Sequence, residues 1–305
     1  MAKQPRSLKG SVVAITGGAR GIGRATAAAL IRAGATVSIG DLDRPLAEQA
    51  AAELGYDTRA FELNVTDRAS FARFLDDTEA ALGPVDVVIN NAGIMPLGRF
   101  VDEDDATAAR QIDINLHGVI FGTKLALERM LPRGRGHVVN IASVAGKAGF
   151  PGGATYCATK HAVVGLSEAV RGELRGTGIE ISVVMPAVVN TELGSGLAEG
   201  RAVKKLEPEE VADAIVEALR LPRFDVFVPR SVGPLHTTMQ LMPRNAREAF
   251  GRALKSDKIL TDIDTARRAG YEDRAAHSEP GREPEAAPAG TGNGAGAADK
   301  PKVTV

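Results

Sequence analysis

The sequence predicts a doubly wound α/β fold, a parallel sheet of seven strands with helices on both faces. Three observations carry that prediction. Short β-branched runs alternate with Ala/Leu/Arg-rich segments of helical length from residue 11 to residue 230, as expected of strands joined by crossover helices and buried on both faces. The first strand runs directly into a glycine-rich turn and then an Ala-rich helix. The chain is 305 residues long, 44% hydrophobic and 25% charged, which is ample for a sizeable core.

Along the chain, the first strand is the run SVVAIT at 11–16, and the helix at 21–33 follows the glycine turn. A strand at 36–41 (TVSIGD) leads to a helix at 45–54, and a strand at 58–64 to a helix at 67–82. The run VDVVIN marks a fourth strand at 85–90. The long stretch 104–131 reads as one helix, and the acidic cluster Asp102, Glu103, Asp104 and Asp105 suits its positive N-terminal end without implying catalysis. Strands at 136–141 (GHVVNI) and 179–185 (IEISVVM) flank a helix at 155–176. A helix at 207–220 opens Pro208-Glu209-Glu210, with proline and acids in its first turn as a helix start prefers, and a strand at 225–229 closes the series. Right-handed βαβ crossovers then give the doubly wound sheet.

Beyond Arg230 the strand rhythm stops. The chain divides into the doubly wound domain at 1–230, an appended helical segment at 231–275 and a tail at 276–305. In the segment, Met239, Met242, Ala246, Phe250 and Leu254 recur at steps of three or four, interrupted by Pro243 and interleaved with Arg244, Arg247, Arg252, Lys255 and Lys258. A basic amphipathic helix on a membrane surface would look this way. A helix packed over a cleft or a subunit interface is favoured, because few apolar residues are available and acidic residues dilute the charge. The tail is almost entirely Ala, Gly, Pro and charge, too poor in apolar surface to fold, and is expected to be disordered.

Composition excludes several classes of function. A net charge of −1, from 37 Lys+Arg against 38 Asp+Glu, argues against a nucleic-acid binder. The single cysteine, Cys157, rules out an internal disulfide framework and a multi-thiolate zinc site. The five histidines show no metal-type spacing, so no metal is expected. The N-terminus lacks the apolar stretch of about 7–15 residues that a secretory signal needs, and no run approaches the roughly 18 apolar residues of a membrane span. A cytoplasmic protein is expected, and the Asn64-Val65-Thr66 sequon is read as chance.

The first candidate site is the turn Thr16-Gly17-Gly18-Ala19-Arg20-Gly21-Ile22-Gly23. Glycines between a strand and a helix permit a tight turn and let backbone N–H groups approach a pyrophosphate at the helix N-terminus. The second strand ends at Asp41, where a carboxylate can accept from both adenosine ribose hydroxyls and would repel a 2′-phosphate. NAD is therefore favoured over NADP. Arg20, inside the turn, is the counterweight, since it could face a phosphate.

The second candidate site is Tyr156-Cys157-Ala158-Thr159-Lys160, which puts a phenol and an ammonium at i and i+4 on one helix face. Ser143 follows the strand at 136–141 and so projects from a strand's carboxyl end, where doubly wound folds bind ligands. A free phenol is a poor base at neutral pH, and a neighbouring cation favours the phenolate. Cys157 and His161 point off that face and are read as packing or surface residues.

With these pieces in place the chain resembles the short-chain dehydrogenase/reductase family, single-domain type. The matching motifs are TGGARGIG at 16–23, NNAG at 90–93, Asn115 in DINLHG, Ser143 in NIASVAG and YCATK at 156–160, with a weaker match in PAVVNT at 186–191. The resemblance covers roughly 8–230 and implies a Rossmann fold. It implies Tyr156 as general acid/base, Lys160 as ligand of the nicotinamide ribose, Ser143 as polariser of the substrate oxygen and Asn115 as holder of a relay water. It further implies cofactor contacts from Gly17, Arg20, Gly21, Ile22, Gly23, Asp41, Asn64, Val65, Asn91, Ala92, Gly93, Tyr156, Lys160 and Thr191. A homodimer or homotetramer is the implied assembly.

Two positions depart from the family pattern. Asn64 stands where an Asp is frequent, and Pro186-Ala187 replaces the usual Pro-Gly. The expected activity is hydride exchange between NAD and a small-molecule secondary alcohol or ketone. Met95, Pro96 and Leu97, the stretch Ala145–Pro151, and Leu193, Leu197 and Val203 in the loop 192–206 suggest a fairly apolar substrate. An NADPH-dependent acyl-type ketoreductase, a catalytically silent NAD-sensing protein and, lower, a sugar-nucleotide epimerase are the alternatives.

Overall fold

The computed structural model describes residues 4–55, 57–197, 204–254, 256–276 and 278. Seven strands, β1 (Val12–Thr16), β2 (Thr36–Asp41), β3 (Arg59–Glu62), β4 (Val87–Asn90), β5 (Gly136–Ile141), β6 (Ile179–Pro186) and β7 (Asp225–Val228), form one parallel sheet in the order β3-β2-β1-β4-β5-β6-β7. The predicted fold class holds. The order reverses between β1 and β4, which opens a crevice at the carboxyl ends of the strands.

Period-two side chains send alternate residues to opposite faces, and both faces are buried. Val13, Ile15, Val37, Ile39 and Ile89 pack with Leu30 of α1 (Gly21–Arg32), Ala47 of α2 (Arg44–Leu54) and Ile215 of α7 (Pro208–Arg220). On the other face, Val12, Ala14, Val88 and Val138 meet Phe71 and Phe74 of α3 (Arg68–Leu82) and Leu125 of α5 (Gly118–Met130). Val183 and Met185 meet Val163 and Val164 of α6 (Ala154–Glu173). This two-sided burial is why the strands read as apolar runs.

The structure corrects the expected elements in two places. The single helix expected at 104–131 is α4 (Asp105–Ile112), a wider π turn at Asp113–His117 and then α5. The strand expected at 58–64 is the four-residue β3 at the sheet edge, where pairing runs from Arg59 to Glu62 against β2. After β7 the chain forms three short helices, α8 (Val232–Gln240), α9 (Arg244–Ala253) and α10 (Thr265–Ala276), broken at Pro243 and around 254–264. The expected disordered tail lies outside the described residues except for Ala276 and Ser278, as do Val203 and Lys255. Among the described residues no helix is long and apolar enough to cross a membrane, and no cluster of three potential metal ligands occurs.

Candidate active site

A cleft of about 1320 Å³ runs across the carboxyl ends of the strands, from the glycine turn to the appended segment. Of the residues singled out from the sequence, Gly17, Arg20, Gly21, Ile22, Asp41, Asn64, Val65, Asn91, Ala92, Gly93, Ser143, Tyr156, Lys160 and Thr191 all line it. Gly23 and Asn115 stand behind its wall instead.

At one end the glycines are required by contact. Gly17 adopts φ +64°, and a Cβ there would lie 2.9 Å from the Ala92 Cα. A Cβ on Gly23 would lie 2.2 Å from the Gly17 carbonyl oxygen. The turn is therefore folded against the start of α1, with room for a ligand's phosphates rather than side chains. Asn91 closes it from β4, its amide donating to the carbonyls of Thr16 (2.9 Å) and Gly17 (3.0 Å).

Asp41, at the end of β2, accepts from the Ala19 N–H at 3.1 Å and the Asp43 N–H at 3.3 Å. Burial raises its pKa, and those two backbone bonds oppose the rise. Arg20 is held by carboxylates on either side, Asp43 at 3.1 Å and Glu192 at 3.2 Å. Asn64 spends its side-chain oxygen on Thr66, accepting from its N–H at 3.0 Å and its hydroxyl at 2.8 Å. Ala187 lines the cleft without a left-handed backbone, so the replaced glycine leaves no strain there.

At the other end Tyr156 and Lys160 project from α6. Both are buried, and the Lys160 Nζ sits 5.7 Å from the Tyr156 ring centroid and donates to the Ile141 carbonyl at 2.9 Å. Burial lowers the Lys160 pKa to about 8. Burial pushes the Tyr156 phenol up to about 12, against the pull of a hydrogen bond with Ser143 and the more distant charge of Arg268. Ser143 caps a short turn at Val144–Gly146, its Oγ accepting from the Ala145 N–H at 3.1 Å.

Asn115 lies in the π turn, fully buried. Its amide brackets Ile94: Oδ1 accepts from the Ile94 N–H and Nδ2 donates to the Ile94 carbonyl, both at 2.8 Å. Nδ2 also approaches Thr159 Oγ1 at 3.3 Å, which ties β4's exit loop to α6. The widened turn swings this side chain inward, a common use of π geometry at functional sites.

The walls beyond Tyr156 are apolar: Met95, Leu97, Phe150, Leu193 and Leu197, joined by Ile259, Leu260 and Ile263 from the stretch before α10. Sequence reasoning favoured a helix of the appended segment over a cleft or a subunit interface, but it missed the residues that reach this wall, Ile259, Leu260 and Ile263, and Arg268, Tyr271 and Arg274 of α10. Arg268 is buried, the Tyr271 hydroxyl accepts from the Met95 N–H at 2.6 Å, and Arg274 pairs with Glu192 at 3.0 Å. Their positions depend on partners over seventy residues away, so the helical spacing of Arg268 and Tyr271 was the sole available hint. Cys157 is buried beside Phe150, as a packing residue would be, and His161 points away from the cleft.

A family model described as short chain dehydrogenase matches residues 11–202. The chain is 36% identical over 227 residues to 2-(S)-hydroxypropyl-CoM dehydrogenase 3 of Xanthobacter autotrophicus, covering 68% of this chain and 89% of that one. It is 35% identical over 216 residues to 3-alpha-(or 20-beta)-hydroxysteroid dehydrogenase of Mycobacterium tuberculosis, covering 68% and 82%. A crystal structure of a short chain dehydrogenase/reductase from Burkholderia phymatum in complex with NAD superposes with a TM-score of 0.70 at 26% identity, over 76% of this chain and 93% of that one.

Proposed function

The chain belongs to the short-chain dehydrogenase family of oxidoreductases, and from that premise we propose that it uses NAD to interconvert a fairly apolar secondary alcohol and its ketone. The observation that carries this reading is the convergence of Ser143, Tyr156 and Lys160 at one end of a cleft whose other end is a glycine turn capped by Asp41. Two similar proteins are named as a 2-(S)-hydroxypropyl-CoM dehydrogenase and a 3-alpha-(or 20-beta)-hydroxysteroid dehydrogenase, and the similar solved structure holds NAD.

The residues fit the cofactor. Gly17, Gly21, Ile22 and Gly23 would form the phosphate cradle, and the observation that supports it is the tight turn itself, where a Cβ at Gly17 or Gly23 would collide with the backbone of Ala92 or Gly17. Asp41 would receive the adenosine ribose, with Arg20, Asn64, Val65 and Asn91–Gly93 around that half and Lys160 and Thr191 at the nicotinamide half. Bound NAD or NADH supplies the hydride acceptor or donor.

In reduction, Tyr156 gives its proton to the carbonyl oxygen while Ser143 donates a hydrogen bond to the developing oxyanion. In oxidation the tyrosinate takes the hydroxyl proton, and Lys160 stabilises that tyrosinate by its charge. The Asn115 side chain is committed to Ile94 and Thr159, so a relay water at Asn115 would have to be held by its main chain. Residues 1–230 carry this machinery, and 231–275 complete the substrate end.

A panel of alcohols and ketones, followed by NADH and NADPH absorbance, tests the reading. Tyr156→Phe is expected to lose about 10²–10⁴-fold in kcat while keeping NADH affinity. NADH binding with no turnover by the parent protein and no effect of Tyr156→Phe would instead make it a silent NAD sensor. The same proposal places the protein in the cytoplasm as a homodimer or homotetramer. Exposed Phe100, Val101 and Ile112 around α4 support assembly, and light scattering after gel filtration checks it.

A further inference from the structure

Ile94 and Met95 leave β4 outside any strand or helix, yet side chains take all four of their main-chain polar groups. Asn115 takes both groups of Ile94. Two residues of α10 take both groups of Met95: its N–H donates to the Tyr271 hydroxyl at 2.6 Å, and its carbonyl accepts from the Arg268 guanidinium. These partners lie 176 and 173 residues away in sequence.

Arg268 is 1% exposed. A cation buried that deeply persists where its N–H groups find acceptors. Besides Met95, it donates to the carbonyls of Leu193 (2.8 Å) and Ser195 (3.0 Å) and to the Glu272 carboxylate, with its plane over the Tyr271 ring at 4.7 Å. One side chain thus joins the loop after β4 to the loop after β6.

A second, independent observation is that the body of the fold makes room for this segment. Gly152 and Gly196 have φ +86° and +71°. Added Cβ atoms would lie 2.4 Å from the Leu260 carbonyl oxygen and 2.6 Å from that of Asp264. Asp264 in turn donates its N–H to the Gly196 carbonyl at 2.9 Å.

We infer that Arg268 and Tyr271 are positioning residues of the substrate end: they clamp Met95 and Leu193–Ser195 against Ile259 and Leu260, and so select bulky apolar ketones and alcohols over short ones. The inference rests on the oxidoreductase reading proposed above. Hydride and proton transfer stay with the residues already described, and the clamp acts through the shape of the apolar wall. Its loss therefore falls on the substrate's carbon body and spares Asp41, Arg20 and the glycine turn, which would hold the adenosine half of the cofactor.

The test uses the full chain with Arg268→Met, Arg268→Lys and Tyr271→Phe, assayed with a bulky cyclic ketone and a short acyclic ketone. Arg268→Met is expected to lower the bulky-to-short ratio of kcat/KM about tenfold, chiefly through KM, with NADH affinity within about twofold. Arg268→Lys restores part of the ratio, because an ammonium offers fewer donors in a different geometry. Amide exchange accelerates at 93–97 and 193–197 and is unchanged at 12–41. An unchanged ratio, or an equal loss for both ketones, overturns the inference. If Arg268→Met does not fold, Tyr271→Phe carries the test, with an expected fall of about threefold in the ratio and faster exchange at Met95. A parent protein that turns over no ketone removes the oxidoreductase reading, and the clamp is then judged by exchange alone, where unchanged protection at 93–97 overturns it.

Discussion

Lys160 shows how one buried residue trades stability for function. Its folded pKa of about 8 lies below the ordinary lysine value of 10.5 because burial disfavours the charge. The unfolded chain therefore binds more protons between those values, so stability rises with pH across that window and the cost is fully present below about 8. Lys160→Met is expected to stabilise the fold at pH 7 by an amount on the order of 2–3 kcal/mol, seen as a higher melting temperature, while activity collapses. Calorimetry and the NADH assay together check both halves. The pKa also sets an activity limb. In the mechanism proposed above, ketone reduction would need Tyr156 protonated, which its raised pKa secures through the neutral range, and Lys160 charged. The kcat/KM for reduction by the free enzyme is expected to fall as pH rises through about 8. The Tyr/Lys pair was legible in the sequence because its chemistry is local, four residues apart on one helix. Arg268 was not, because what distinguishes it from a solvated arginine is a set of carbonyls on two remote loops.

The alternation of strands and helices was legible for the same kind of reason, since each βα unit carries its own period change and turn. The π turn at Asp113–His117 was hidden, because the residues DINLH continue a helical pattern and the insertion shows itself in space, where Asn115 reaches Ile94. The three-way division of the appended segment was half visible through Pro243, while the role of α10 depended on what it covers. Close packing at the element scale gives a further prediction at Gly122 of α5. A Cβ there would lie 2.0 Å from Asn90 Oδ1 and 2.5 Å from Phe71 Cζ, so α5 sits on the sheet as close as its backbone allows. Asn90 meanwhile donates to Asn140 Oδ1 at 2.8 Å within a buried polar chain that ends at Ser167. Gly122→Ala is expected to cost about 1–3 kcal/mol in denaturant unfolding, by pushing α5 outward and disturbing that chain. A change within about 0.5 kcal/mol would mean that the helix shifts freely.

At the scale of the whole molecule, cofactor choice is expected to be set by three parts of the chain acting together. Asp41 ends β2, Arg20 sits in the glycine turn, and Glu192 of the loop after β6 pairs with Arg20 at 3.2 Å and with Arg274 of α10 at 3.0 Å. A 2′-phosphate would meet the Asp41 carboxylate, and the cation that could welcome it is already engaged by Asp43 and Glu192. Exposed ion pairs are individually worth about 0–1 kcal/mol, so releasing Arg20 by Glu192→Gln alone should change the NADPH-to-NADH ratio of kcat/KM by about threefold or less while Asp41 still repels. Asp41→Ser removes the repulsion and is expected to raise the ratio about tenfold, since 1.4 kcal/mol is tenfold. The double variant should exceed the product of the two, because the freed guanidinium acts on a phosphate that the carboxylate no longer excludes. Kinetics with both cofactors for the four proteins close the cycle. No response to Asp41→Ser would remove the reason for choosing NAD. A strictly multiplicative double variant would show that Arg20 faces away from the ribose, leaving the Arg20–Glu192–Arg274 chain as a fastening between the glycine turn and α10.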